Sequence, residues 1–401
     1  MNAPPTRPEI LGTLGHLHEL LRELVRALPE TDVNRPFHAT LGCVGWQLAD
    51  AVYRETYWLR EVVSGDAELT ARVRHLFDGA VGDRAAECAS LPPPGHLLAW
   101  ASEIQDEHLR RLATPGALAD HPLLADDRLV WFLVQEAART YERMIALLRL
   151  RAIEDTPRGE GITPTLAACR PRNDQVEVVQ GHYRIGSRHE PFAYDNELPP
   201  QAVELASFRI ARHPVDNAEY LAFIEAGGYR EPALWDTDGR AWLAEQVVPP
   251  EAPLGWRRDA RGSWYEIGLN GPCALVPDQP VCGVNRHEAR AYAAWAASLG
   301  GAQSGAVLQH EYQWEVAARG GMLEGTGRVR EWCSNPFHAY PDFRPFPDRR
   351  TSEPGFTHGH GVLRGASLHT LGCLRRASYR FGIGPDTREL CSGLRLVYPP
   401  D

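Results

Sequence analysis

Polar side chains able to do chemistry recur at helical spacing in two stretches of this chain. Gln47, Asp50 and Arg54 stand at i, i+3 and i+7, and Gln135, Arg139 and Glu142 form a similar trio later. Each trio shares one helix face. None of these residues is a histidine. An amide oxygen is a weak ligand for a transition metal where an imidazole is a good one. An arginine cannot give up its proton and brings positive charge with it. The eight cysteines, Cys43, Cys88, Cys169, Cys273, Cys282, Cys333, Cys373 and Cys391, contain no Cys-x-x-Cys pair. In a reducing compartment such scattered cysteines read as small buried apolar residues.

The elements that must carry these side chains change character along the chain. Leucines at helical spacing mark four amphipathic segments in the first 155 residues, beginning near Leu11, Gly45, Gly95 and Arg128. Pro- and Gly-rich links such as Leu91-Pro-Pro-Pro-Gly95 separate them. That pattern predicts an up-and-down four-helix bundle over 1–155. A linker over 156–177 follows, with Thr156-Pro-Arg-Gly at its start. From 178 to 401 the segments are short and rich in Gly, Pro and Trp. QVEVVQGHYRIG and AVELASFRIARHPV alternate like strands, and helices are expected near 216–226 and 287–299. The fold class is therefore α+β, a helical half followed by a mixed half with much irregular structure.

A formal net charge of −10 argues against nucleic acid or an anionic membrane as partner. The sequence has no apolar run long enough to span a bilayer, and Met1–Leu14 does not read as a secretory signal. A cytoplasmic location is the expectation.

A series of motifs in the second half carries a family resemblance. Gln180-Gly-His-Tyr-Arg-Ile-Gly186, Phe192-Ala-Tyr-Asp-Asn-Glu-Leu-Pro199 and the Pro214–Ile224 run with Gly227-Gly-Tyr229 and Trp235 come first. His310-Glu-Tyr-Gln-Trp-Glu-Val-Ala-Ala-Arg319, Glu331–Phe337, Tyr340-Pro-Asp-Phe343, Leu363-Arg-Gly-Ala-Ser367 and Gly393-Leu-Arg395 follow in order. Together they resemble the formylglycine-generating-enzyme superfamily, whose domain is C-type-lectin-like, over 178–398. In the first half, Val44-Gly-Trp-Gln-Leu-Ala-Asp50 with Glu55 and Trp58-Leu-Arg60 resembles the Trp-His-Leu-x-His…Glu segment of a DinB-like bundle. Both halves in this order resemble the ergothioneine sulfoxide synthases and the related selenoneine synthases.

That resemblance implies a mononuclear non-haem iron(II) oxidoreductase joining a thiol or a selenosugar to a histidine-derived betaine. It also implies where the iron ligands would stand. The first is Gln47 here, with Asp50 at the second histidine of that segment. The later His-x-x-x-His-x-Glu helix gives Gln135, Arg139 and Tyr141 in one register, or Glu136, Thr140 and Glu142 in the other. No iron or other cofactor is expected, since these positions lack imidazole; a different metal would have to be held by Asp50, Glu136 or Glu142. The candidate substrate-pocket residues are Gln47, Asp50, Gln135, Arg139, Tyr340, Arg380 and Phe381. If the two faces meet, Arg139 is expected to pair with Asp50 or Glu142, with the glutamines completing the hydrogen bonds. His16, His18 and His38 lie outside the motif and read as structural. Cys373 alone cannot supply the cysteine pair of formylglycine-generating enzymes. The alternative reading is a non-catalytic relative that binds a small molecule or a partner protein.

Overall fold

The computed structural model describes residues 5–77, 83–157, 165–188 and 193–400. Phe192 and the 158–164 part of the expected linker lie outside them. The chain divides into two compact units, Met1–Arg151 and Ala152–Asp401. No helix among the described residues is long and apolar enough to cross a membrane.

Four long helices dominate the first unit: α1 (Arg7–Arg26), α2 (Val44–Thr56), α3 (Pro94–Ala113) and α4 (Arg128–Asp155). Helix α1 starts in a capping box in which Thr6 and Glu9 satisfy each other's backbone amides. Its Leu14, Leu17, Leu21 and Val25 are buried at intervals of three and four, the period that puts them on one face. Burying each such side chain contributes about 1.5–3 kcal/mol. Helices α1, α2 and α3 pack on one another. Helix α4 joins them where Phe132 meets Trp58 edge-on, with ring centroids 6.1 Å apart. Beyond Thr56, α2 runs on as a π-helical turn, Tyr57–Val62, in which the Val63 amide reaches back to the Trp58 carbonyl. Short helices at Glu68–Val73 and Arg84–Ala89, which the leucine pattern did not suggest, fill the link between α2 and α3.

The second unit is mixed, as the sequence led one to expect. Its strands are β1 (Gln175–Val178), β2 (Gly181–Ile185), β3 (Gln201–Leu205), β4 (Phe208–Ala211), β5 (Trp256–Arg258), β6 (Trp264–Gly268) and β7 (Gly271–Cys273). Then come β8 (Val307–Leu308), β9 (Arg330–Pro336), β10 (Gly361–Arg364), β11 (Phe381–Ile383), β12 (Ser392–Leu394) and β13 (Leu396–Tyr398). They form sheets of order β1-β4-β13-β8, β11-β10-β9-β12, β2-β3 and β5-β6-β7. Pairing is antiparallel except between β9 and β12, where Gly393 stands opposite Glu331. Helices α5 (Asn217–Glu225), α6 (Arg286–Ser298) and α7 (Glu311–Arg319) pack against them, each opened by a capping box. The first two match the expected helices near 216–226 and 287–299. The helix Thr237–Glu245 was not anticipated; Asp236 caps it by accepting from the Gly239 amide at 2.8 Å. An aromatic core of Tyr220, Phe223, Trp235, Trp256, Tyr292, Trp295 and Trp332 binds helices to strands.

Candidate functional site

The two polar helix faces singled out in the sequence do come together in the first unit. The residue that joins them is Arg143. Its Nε donates to Gln47 Oε1 at 2.9 Å and its Nη2 to Thr140 Oγ1 at 2.8 Å. Gln47 in turn donates through Nε2 to the Leu41 carbonyl at 2.7 Å. Gln47 and Thr140 are buried, and Arg143 is half-buried. Burial pushes the Arg143 pKa below its usual value, and nearby Arg139 adds to that; Glu136 and Asp50 act the other way. Asp50 and Glu136 therefore lie close enough to be felt by the same guanidinium.

The expected pairing within this cluster is corrected. Asp50 takes Arg54, one turn on along its own helix, at 2.8 Å. Arg139 pairs with Glu136, one turn back, at 2.9 Å. Both are local i,i+4 or i,i+3 contacts, which cost less chain ordering than a contact across helices. Gln135 is buried but turns along its own helix, donating to the Trp131 carbonyl at 3.2 Å. Arg143 sits one position past the motif, so motif spacing could not point to it. Its i+3 spacing from Thr140 was the available signal.

A second polar group in this unit joins Glu55, which the motif reading named, to two histidines it did not include. Glu55 of α2 is buried between His18 of α1 and His108 of α3. His18 Nε2 lies 2.7 Å from Glu55 Oε2, and His108 Nδ1 lies 2.8 Å from Oε1. Burial would raise the carboxyl pKa, but His18 and then His108 bring it down to about 2. Two histidines and a carboxylate are the residue types of a facial metal triad. Here both carboxylate oxygens are taken up by ring nitrogens. No group of three His, Cys, Asp or Glu among the described residues is arranged to enclose a metal ion. His18, expected to be structural, is one third of a buried network.

In the second unit the pocket candidates Tyr340 and Arg380 lie in the core, both almost completely buried. Arg380 donates through Nε and Nη2 to Glu311 at 2.7 and 2.8 Å, through Nη1 to the Asn196 carbonyl at 2.6 Å, and through Nη2 to the His338 carbonyl at 2.9 Å. Its guanidinium lies 4.0 Å above the Tyr340 ring. With donors of all three nitrogens engaged inside the protein, Arg380 holds structure together. Phe381, at the start of β11, is half-buried, with Arg330 over its ring at 5.4 Å. The same logic explains other motif residues. Arg364 bridges Glu311 and Glu315 at 3.2 and 2.6 Å. Arg395 of the Gly393-Leu-Arg395 motif grips both oxygens of Glu331 at 2.7 and 2.8 Å, and Trp314 Nε1 donates to the same carboxylate at 3.0 Å.

Comparison with known proteins bears on both halves. Residues 164–326 match the sulfatase-modifying factor enzyme 1-like domain. Hercynine oxygenase of Mycolicibacterium thermoresistibile is 30% identical over 96% of this chain and 96% of its own length. The chain belongs to the hercynine oxygenase family. The Mycolicibacterium smegmatis hercynine oxygenase is likewise 30% identical, over 96% of this chain and 98% of its own length. Formylglycine-generating enzyme of Thermomonospora curvata is 32% identical over only 45% of this chain. Membership in the hercynine oxygenase family thus extends through the helical unit as well as the mixed one.

Proposed function

We propose that this chain is a hercynine oxygenase relative that binds a histidine-derived betaine, or a similar small carboxylate, at a site that has given up iron chemistry. The observation that carries the reading is Arg143, bonded at once to Gln47 at 2.9 Å and Thr140 at 2.8 Å. By resemblance, Gln47, Glu136 and Thr140 stand where a synthase has its iron histidines. Gln47 and Thr140 sharing one guanidinium supports this second register over the one through Gln135 and Arg139. The long helices of the first unit support a DinB-like bundle.

The residues present do not fit ferrous iron. An amide and a hydroxyl replace imidazoles, two carboxylates are engaged by arginines, and a fixed positive charge lies among them. Arg143 donates to an amide and a hydroxyl and not to a carboxylate, so its charge disfavours a dication and suits the carboxylate of a betaine. The reading is of a cytoplasmic protein with a small-molecule partner.

Two measurements test it together. Protein purified without chelator should carry far less than one iron per chain by elemental analysis. Calorimetric titration with hercynine should show binding that Arg143→Met weakens about tenfold or more. Stoichiometric iron that survives dialysis would restore the synthase reading, with C–S or C–Se bond formation to be assayed. Iron-free protein with no affinity for hercynine would favour the partner-binding alternative.

A further inference from the structure

Two segments far apart in the second unit run against each other beside β12. The Gly283 amide donates to the Ser392 carbonyl at 3.0 Å, and Ser392 Oγ donates to the Val284 carbonyl at 2.7 Å. One residue before Gly283 stands Cys282, and one before Ser392 stands Cys391. Their sulfurs are in contact, 2.8 Å apart. Both residues are thiols and both are half-exposed.

We propose that Cys282 and Cys391 are a redox modification site that closes into a reversible disulfide. Backbones already hydrogen-bonded next to the pair hold the two residues close, which is the condition a disulfide imposes on its Cα and Cβ positions. Partial exposure lets a small oxidant in. Cys43 and Cys88 also interact in the first unit, but both are completely buried and serve as an internal contrast. The oxidant is a low-molecular-weight disulfide. One protein thiolate attacks it, forming a mixed disulfide and releasing one small thiol. The second protein thiolate then attacks the protein sulfur of that mixed bond and releases the other. The two cysteines lose two electrons and two protons, and the small disulfide gains them as two thiols.

Closure has a structural target. The segment before Cys391 is tied to the start of α6, where the Arg286 amide donates to the Pro385 carbonyl at 2.9 Å and Arg388 pairs with Glu288 at 2.8 Å. A covalent bond at Cys391 would make that attachment permanent. It would also cross-link residues 109 positions apart, restricting the unfolded chain.

The test uses the full-length protein equilibrated with oxidised or reduced glutathione, alkylated, and digested without reduction. Mass spectrometry should find one cross-linked peptide pair containing Cys282 and Cys391, abolished by dithiothreitol. The thermal midpoint should rise by roughly 5 °C or more on oxidation. Cys391→Ser should instead take up a single glutathione at Cys282, with no such rise. The proposal is overturned if wild-type Cys282 and Cys391 stay alkylatable under oxidised glutathione, or carry separate adducts. Because the cross-link is read on the wild type, a variant that fails to fold leaves that result standing.

Discussion

Arginines hold together the polar interior of both units, but in different ways. In the mixed unit three buried arginines face carboxylates directly: Arg380 and Arg364 on Glu311, Arg364 on Glu315, Arg395 on Glu331. These groups are sealed from water and carry the family motifs. In the helical unit Arg143 contacts an amide and a hydroxyl, while the carboxylates nearby are engaged by other arginines. The first arrangement is a closed ion-pair network that the fold needs. The second sets a guanidinium on neutral partners, Gln47 and Thr140. Motif residues that build a scaffold are in place here; that the metal-binding ones have been exchanged belongs to the function proposed above.

The largest effect that would sharpen this contrast is expected at Arg380. Replacing it with Met takes two charged donors from the buried Glu311 carboxylate, leaving it Arg364 at 3.2 Å, and should cost about 3–5 kcal/mol. Urea denaturation of Arg380→Met against Arg380→Met/Glu311→Gln tests it: the double variant should recover a large part of the loss. Equal losses in the two would mean that Arg380 and Glu311 are not coupled.

Next comes Glu55. Its folded pKa of about 2 lies below the ordinary carboxyl value. A depressed pKa contributes stability that is present above the unfolded value and lost as pH falls through the folded one. The helical unit should therefore weaken between pH ~4.5 and ~2, by about 3 kcal/mol in all from this group. Glu55→Gln should flatten that part of the stability–pH curve; an unchanged curve would exclude Glu55 as its source.

Smaller effects belong to the Arg143 cluster. Arg143→Met leaves Gln47 Oε1 without this donor and should cost about 1–3 kcal/mol. Arg139→Met and Arg54→Met, whose ion pairs are local and partly exposed, should each cost under ~1 kcal/mol. If Arg139→Met proves more damaging than Arg143→Met, the centre of the cluster has been misassigned.

How far the sequence reached can be judged from the same residues. Leucines at helical spacing marked helices because that signal is local. Motif order marked the mixed unit because its arginines and glutamates must meet their partners for the core to close. Gln47, Asp50, Gln135 and Arg139 were rightly placed on two helix faces, but not their partners. A long arginine can turn to a neighbour three or four residues away or cross to another helix, and spacing does not choose between them. His18, Glu55 and His108 come from three separate helices, so no interval along the chain could have united them.

One strand has a consequence for how the protein is made. β13, Leu396–Tyr398, lies inside its sheet, between β4 and β8. That sheet therefore stays incomplete during translation until those residues have left the ribosome, long after β1 and β4. The helical unit, whose internal contacts all fall within Met1–Arg151, is free to fold far earlier. Synthesis at about 5–20 residues per second leaves an interval of many seconds in which a finished domain is followed by an unfinished one. During it the Trp-rich core of the second unit is exposed, and chaperone binding to the nascent chain should peak there.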